Sequence, residues 1–193
     1  MIQLRKILLI DNYDSFTYNI IDHLRSMRGV SYKIIKNDKI NFEKIKLFDK
    51  ILLSPGPGIP SEAGEIKELI QEYASAKSIL GICLGHQAIG EVFGAQLENL
   101  PKVFHGITER MTVRNSKDYL FKGLDKYFNA GLYHSWIISE DRFPECLDIT
   151  ATARSGKIMA ISHRKYDIKG VQFHPESYMT PMGRKMISNW VFH

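Results

Sequence analysis

The sequence predicts an α/β protein: an open, mostly parallel but mixed, twisted sheet flanked by helices, with a smaller antiparallel β section in the C-terminal half. Three observations carry this. Short, uniformly apolar runs alternate with longer amphipathic segments over the first half, the pattern of a parallel sheet buried on both faces. Each early run ends in a polar or Gly/Pro-rich loop, the place where such sheets carry their sites. From about Ala95 the segments shorten, become β-branched and aromatic, and are separated by frequent turn residues, which reads as antiparallel strands.

Taken in order, Ile7–Ile10 is the first clear strand, with Met1 to Ile7 reading as its leading edge, and it ends in the polar loop Asp11-Asn12-Tyr13-Asp14-Ser15. A helix follows from about Phe16 to Met27, with Phe16, Ile20, Ile21 and Leu24 at helical spacing and Gly29 as its stop. Ser31–Lys36 and Ile51–Leu53 are the second and third strands. The third runs into the stiff turn Ser54-Pro55-Gly56-Pro57-Gly58-Ile59-Pro60, ahead of a helix from Glu65 to Tyr73. Ser78-Ile79-Leu80 is the fourth strand, followed by a helix-compatible segment from Gln87 to Phe93. Beyond it, Glu109–Val113, Tyr133–Ile138, Ile149–Ala153 and Ile158–Ser162 read as antiparallel strands, with a hairpin turn at Arg154–Lys157. A helix from about Met182 to Val191 ends the chain. There is no repeat or linker, so residues 1–193 are read as one domain.

Composition fits a soluble, cytoplasmic enzyme. The chain is 44% hydrophobic and 24% charged, an ordinary globular balance. It has no apolar run long enough to cross a membrane and no signal-peptide core at its start. Two cysteines, Cys83 and Cys146, do not make a disulfide framework, and Cys146 reads as a small packing residue. The net charge of +5 comes from scattered lysines interleaved with acids, which argues against a nucleic-acid platform and suits a solvated face or an acidic protein partner. No metal-ligand spacing is present, the Gly/Pro turn lacks the lysine of a phosphate loop, and no cofactor is expected.

The chemistry centres on Gly81-Ile82-Cys83-Leu84-Gly85-His86-Gln87. A cysteine between glycines, after a strand and before a helix, has the pattern of a nucleophile elbow. The helix N-terminus aimed at the sulfur favours the thiolate. Of seven histidines, His174 has the best context. It follows an apolar strand in Val171-Gln172-Phe173-His174-Pro175-Glu176-Ser177, and Pro175 holds it extended. Glu176, two residues on, then points to the same side and can orient the imidazole. His86 sits too close to the elbow to reach back and is read as a capping or packing residue; for His134 a substrate loop and a strand end are equally open. The oxyanion of an attacked carbonyl needs donors, which the N–H of Leu84 and the Gly56-Pro57-Gly58 turn can supply.

These segments, together with Asp11-Asn12-Tyr13-Asp14-Ser15-Phe16-Thr17-Tyr18-Asn19, resemble the class I (triad) glutamine amidotransferases from about Ile7 to Trp190, in the family's order. Within the family the chain is similar to the component II glutaminase subunits of anthranilate synthase and of aminodeoxychorismate synthase. The resemblance implies that Cys83, His174 and Glu176 form the triad, and that Cys83 attacks the side-chain amide of L-glutamine. It implies that Gly56, Pro57, Gly58 and Leu84 build the oxyanion and carbonyl site, and that Gln87, Ser135 and Trp136 hold the amino-acid end. It further implies a hetero-oligomer in which ammonia passes to a chorismate-using synthase partner, anthranilate synthase component I, with the Asp11–Asn19 loop near the interface. The alternatives are the same role in aminodeoxychorismate synthase or in both, a stand-alone γ-glutamyl cysteine hydrolase, and a non-catalytic binding protein. The sequence departs from the family's habit at Ile107, Leu132 and Trp136, where lysine, arginine and leucine are common.

Overall fold

In a computed structural model that describes residues 4–193, one nine-stranded sheet dominates the molecule. The first half supplies β1 (Arg5–Asp11), α1 (Thr17–Arg25), β2 (Val30–Lys36), a single turn α2 (Phe42–Ile45), β3 (Lys50–Leu53), α3 (Ile66–Tyr73), β4 (Ser78–Ile82) and α4 (Leu84–Val92). The second half supplies β5 (Leu97–Asn99), β6 (Ile107–Val113), β7 (Tyr127–Leu132), β8 (Trp136–Ile138), β9 (Leu147–Ala153), β10 (Ile158–His163), β11 (Ile168–Val171) and α5 (Gly183–Phe192). The expected strand edge at Met1–Gln3 lies outside the described residues; the strand itself begins at Arg5.

The strand order is β2-β1-β3-β4-β11-β10-β9-β6-β7. Neighbours from β2 to β11 are parallel, and those from β11 to β7 are antiparallel. The antiparallel section therefore continues the main sheet; only β5 and β8 form a separate pair among the described residues. Alternation along the strands explains the layers. Ile7, Leu9, Leu52, Leu80 and Ile82 face Ile20 and Leu24 of α1 and Ile187 and Trp190 of α5 in one core. Leu8, Ile10, Ile51, Leu53 and Ile79 face Ile66, Leu69 and Ile70 of α3 and Ala88 and Ile89 of α4 in the other. Uniformly apolar strands are thus buried on both sides, as the sequence pattern requires.

Three expectations shift. The helix after the fourth strand starts at Leu84 rather than at Gln87, so it begins directly behind Cys83. The expected strand at Tyr133–Ile138 is limited to Trp136–Ile138; Tyr133 to Ser135 form an irregular segment whose His134 and Ser135 carbonyls accept from Phe104 and Leu100. β7 was not foreseen, because Asn129, Ala130 and Gly131 have low strand propensity; tertiary pairing with β6 overrides it.

Candidate active site

Two adjacent parallel strands, β4 and β11, deliver the reactive groups. Val171 pairs with Ile82, and the Cys83 N–H donates to the Val171 carbonyl at 2.8 Å, so the chain beyond β11 runs past the elbow. Cys83 sits at φ 50°, ψ −100°, a positive-φ conformation that side chains other than glycine seldom adopt. The glycines around it permit close approach. A Cβ on Gly81 would overlap the Gly85 backbone, and a Cβ on Gly85 would lie 2.7 Å from both Cβ and O of Leu53. The first intrahelical bond of α4 runs from the Gln87 N–H to the Cys83 carbonyl at 3.0 Å, which leaves the N–H groups of the first turn without helical partners beside the sulfur.

His174 and Glu176 are almost fully buried, and His174 Nδ1 lies 2.6 Å from Glu176 Oε1. An ionised carboxylate only accepts, so Nδ1 carries a proton and Nε2 is left for the nucleophile. Nε2 makes no aligned hydrogen bond with a described residue. Burial pushes the imidazole towards neutrality, but the Glu176 carboxylate and then Cys83 outweigh it and hold His174 well above the usual histidine range. The backbone is pinned as well, and it is not the extended segment expected: His174 to Ser177 form a turn in which the Ser177 N–H donates to the His174 carbonyl at 3.2 Å, and this turn brings Glu176 back to the ring. The His174 N–H donates to the Gly131 carbonyl at 3.0 Å, and Thr180 Oγ1 donates to the His174 carbonyl at 2.7 Å. Phe16 and Tyr133 pack edge-on against the ring, at centroid distances of 5.1 and 4.9 Å.

Above the sulfur lies a cavity of about 160 Å³ lined by Gly56, Pro57, Gly58, Cys83, Gln87, Tyr133, His134, Ser135 and Trp136. That volume is below the range of drug-sized sites and suits a ligand the size of one amino acid. Leu84 does not line it; its side chain packs under the turn, where a Cβ on Gly56 would meet Leu84 Cδ2 and Asn12 Cβ at 2.6 Å each. Gly58 has φ +71°. The turn is tied to β1 by Asn12, which receives a bond from Asn37, donates Nδ2 to the Ser54 carbonyl at 2.7 Å and donates its N–H to Ser54 Oγ at 2.9 Å.

The structure therefore brings together Cys83, His174 and Glu176, and arrays Gly56, Pro57, Gly58, Gln87, Ser135 and Trp136 around one cavity, with Leu84 packed behind Gly56. His134 faces the cavity. Burial drives it to about 4, so the ring is neutral at pH 7. His86, for which packing was expected, is fully buried against Gly170 and driven by burial to about 3. Two residues were not anticipated. Gln172 donates to the sulfur, and Tyr133 covers the imidazole. Their signal was the spacing from His174 for the first and the neighbouring His134-Ser135 motif for the second.

The Glutamine amidotransferase class-I family matches residues 8–193. This chain is a class I glutamine amidotransferase. The amidotransferase is 41% identical over 187 residues to the aminodeoxychorismate/anthranilate synthase component 2 of Bacillus subtilis, covering 96% of this chain and 95% of that one. It is 40% identical over 187 residues to the aminodeoxychorismate synthase component 2 of Escherichia coli, covering 96% and 98%. In three dimensions it is similar to the crystal structure of a candidate GMP synthase component from Thermoplasma acidophilum, with a TM-score of 0.87, 27% identity, and coverage of 98% and 94%. Two of its departures from the family's habit are cross-strand neighbours: Ile107 pairs with Leu132 in the β6–β7 ladder. Leu132 is buried and lines an apolar cavity of about 210 Å³ with Phe104 and Met159, so this end of the β6–β7 ladder carries an apolar pair.

Proposed function

We propose that the chain is a glutaminase subunit that hydrolyses L-glutamine through a Cys83 γ-glutamyl thioester and passes the ammonia to a chorismate-aminating synthase partner, giving anthranilate. The observation that carries this is the imidazole of His174, fixed by Glu176 and buried beside Cys83, whose sulfur lines a cavity of amino-acid size together with the Gly56–Gly58 turn. The Cys83 thiolate attacks the side-chain carbonyl carbon of glutamine. The oxyanion receives hydrogen bonds from the Leu84 N–H and the N–H groups of the turn. His174 gives its Nε2 proton to the departing nitrogen, the C–N bond breaks and ammonia leaves. A water then loses a proton to His174 and attacks the thioester. Collapse of that adduct releases glutamate and restores the thiolate. Removing one oxyanion donor from such a site typically costs about 2.7–4 kcal/mol of transition-state stabilisation.

A synthase partner is supported by the surface next to the site. Tyr13, Tyr18 and Tyr178 are exposed by 55%, 75% and 88%. A groove of about 680 Å³ runs between α1 and the segment after Glu176, lined by Tyr18, Asp22, Arg25, Tyr178 and Arg184. Exposed tyrosines and arginines around a concavity have the composition of an interface core. The Bacillus subtilis relative carries both synthase names, and this favours a second reading in which one glutaminase serves both pathways. The test is reconstitution: the chain is mixed with an anthranilate synthase component I and, separately, with an aminodeoxychorismate synthase component I. Glutamine-dependent product with the first alone supports the main reading, with both the shared one, and with neither overturns the proposed partnership. Glutaminase activity that is equal with and without either partner, chorismate present, points to a stand-alone hydrolase.

A further inference from the structure

Gln172 is completely buried, and its side chain touches the nucleophile: Nε2 donates to Cys83 Sγ at 3.4 Å across 89 positions of sequence. The orientation of this amide is fixed by chemistry rather than by assignment of look-alike atoms. Gln87 Nε2 lies 2.8 Å from the Trp136 carbonyl, which can only accept, so the end of Gln87 that faces it is the NH₂ group. The same Nε2 lies 3.1 Å from Gln172 Oε1, so the end of Gln172 that meets it must be the oxygen. Its NH₂ group is therefore turned on the sulfur. Gln172 and His174 flank Phe173 just beyond β11 and both reach Cys83, while Phe173 is locked against Phe128 at 5.5 Å in the core.

We propose that Gln172 is a catalytic residue that holds Cys83 as the thiolate, and that Gln87 keeps it in the donating orientation. The inference rests on the reading of Cys83 as the nucleophile. A sulfur ready for attack carries negative charge, and a buried anion needs donors. His174 supplies charge from one side, and the Gln172 amide supplies a neutral donor that takes no proton and does not compete for the one His174 must deliver. Both donors of Gln87 Nε2 are spent on Trp136 and Gln172. Its Oε1, which accepts from no described residue, is the end left for the cavity, so it is suited to a cationic group such as the ammonium of an amino acid. A ligand seated there would then bear on the same chain of amides that ends at the sulfur. The other ionisable groups near the sulfur are His174, with Glu176 behind it, and the neutral His134 and His86.

The test is the pH profile of Cys83 alkylation by iodoacetamide in the full chain, which needs neither glutamine nor a synthase. Failure of the pathway reading would therefore leave this result untouched. Gln172→Met, close in shape but without a donor, should move the midpoint of the profile up by about one pH unit, the weight of a lost hydrogen bond to an ionised group. Its glutaminase kcat at neutral pH should fall about tenfold and partly recover at higher pH, with KM changed less than kcat. A folded Gln172→Met with an unmoved midpoint overturns the proposal. If that variant does not fold, the wild-type chain decides: the Gln172 side-chain amide resonances should follow the ionisation of Cys83 and cease to titrate in Cys83→Ala. Amide resonances indifferent to Cys83 overturn it equally.

Discussion

At the scale of single residues, three histidines in one small volume are held in opposite protonation states. His174 is raised by Glu176 and Cys83 against its burial, whereas His86 and His134 have no compensating acid and burial keeps them neutral. Replacing Glu176 with Gln should leave burial unopposed by the carboxylate. The NMR titration midpoint of the His174 ring should drop, and glutaminase kcat should fall by about 10²-fold or more, the scale of a lost acid–base function. A ring midpoint unchanged in Glu176→Gln would contradict this account of the site. The buried neutral His86 gives a stability prediction with the other sign. Its folded value of about 3 lies below the unfolded value of about 6.5, so between them the unfolded chain binds more protons and stability falls as pH falls. His174, being raised, contributes stability that is present below about pH 6.5 and is lost as pH rises through its folded value. Urea titrations of wild type and His86→Leu from pH 7 to 5 should therefore show a shallower decline for the variant. Parallel curves would mean that another group governs the acid limb.

At the scale of elements, the site depends on glycines that let segments touch. Gly183, the first residue of α5, packs on the Pro175 carbonyl so closely that a Cβ would overlap it. Alanine normally gains up to about 1 kcal/mol over glycine in a helix, but overlap with backbone cannot be relieved by rotating a side chain and costs about 1–3 kcal/mol or more. Gly183→Ala should thus lower the urea midpoint despite its better propensity. It should also impair glutaminase, because Pro175 lies between His174 and Glu176; a wild-type midpoint would show that α5 can slide away freely. Elements of this kind differ in how far sequence reveals them. The elbow was legible because glycines about a cysteine are a local pattern. The His174–Glu176 pair was also anticipated, but through an extended chain, whereas a turn from His174 to Ser177, closed by the Ser177 N–H on the His174 carbonyl, is what folds the carboxylate back onto the ring. β7 was not, since Gly131 is there for contact rather than propensity. Its N–H donates to Thr180 Oγ1, its carbonyl takes the His174 N–H, and a Cβ would lie 2.9 Å from Met179 Cβ. Tyr133–Ser135 read as strand because Tyr133 and the Trp136-Ile137-Ile138 run that follows are β-formers; the His134 and Ser135 carbonyls are claimed instead by Phe104 and Leu100.

At the scale of the whole molecule, the alternation of apolar runs announced a sheet but not the order of its strands. That order makes the site, because β11 enters the sheet beside β4 and brings Gln172 and His174 to Cys83 from the far end of the sequence. No local pattern encodes this; it follows from burying both faces of β4 and β11 at once. The groove along α1 is linked to the cavity through Tyr133, which lines the cavity and is hydrogen-bonded at 3.2 Å to Ser177 of the groove, so a partner seated in the groove would stand one side chain from the cavity. Ammonia that escapes into neutral water becomes mostly ammonium, which has no lone pair to attack with, so delivery through a closed path preserves both its reactivity and its local concentration. In the reconstituted complex, amide-¹⁵N glutamine supplied together with a large excess of unlabelled ammonium should therefore give product that is predominantly ¹⁵N. Mass spectrometry of the aminated product reads this directly. Label diluted to the ratio of the bulk pool would mean that ammonia equilibrates with solvent before it is used, and that the groove docks a partner without channelling to it.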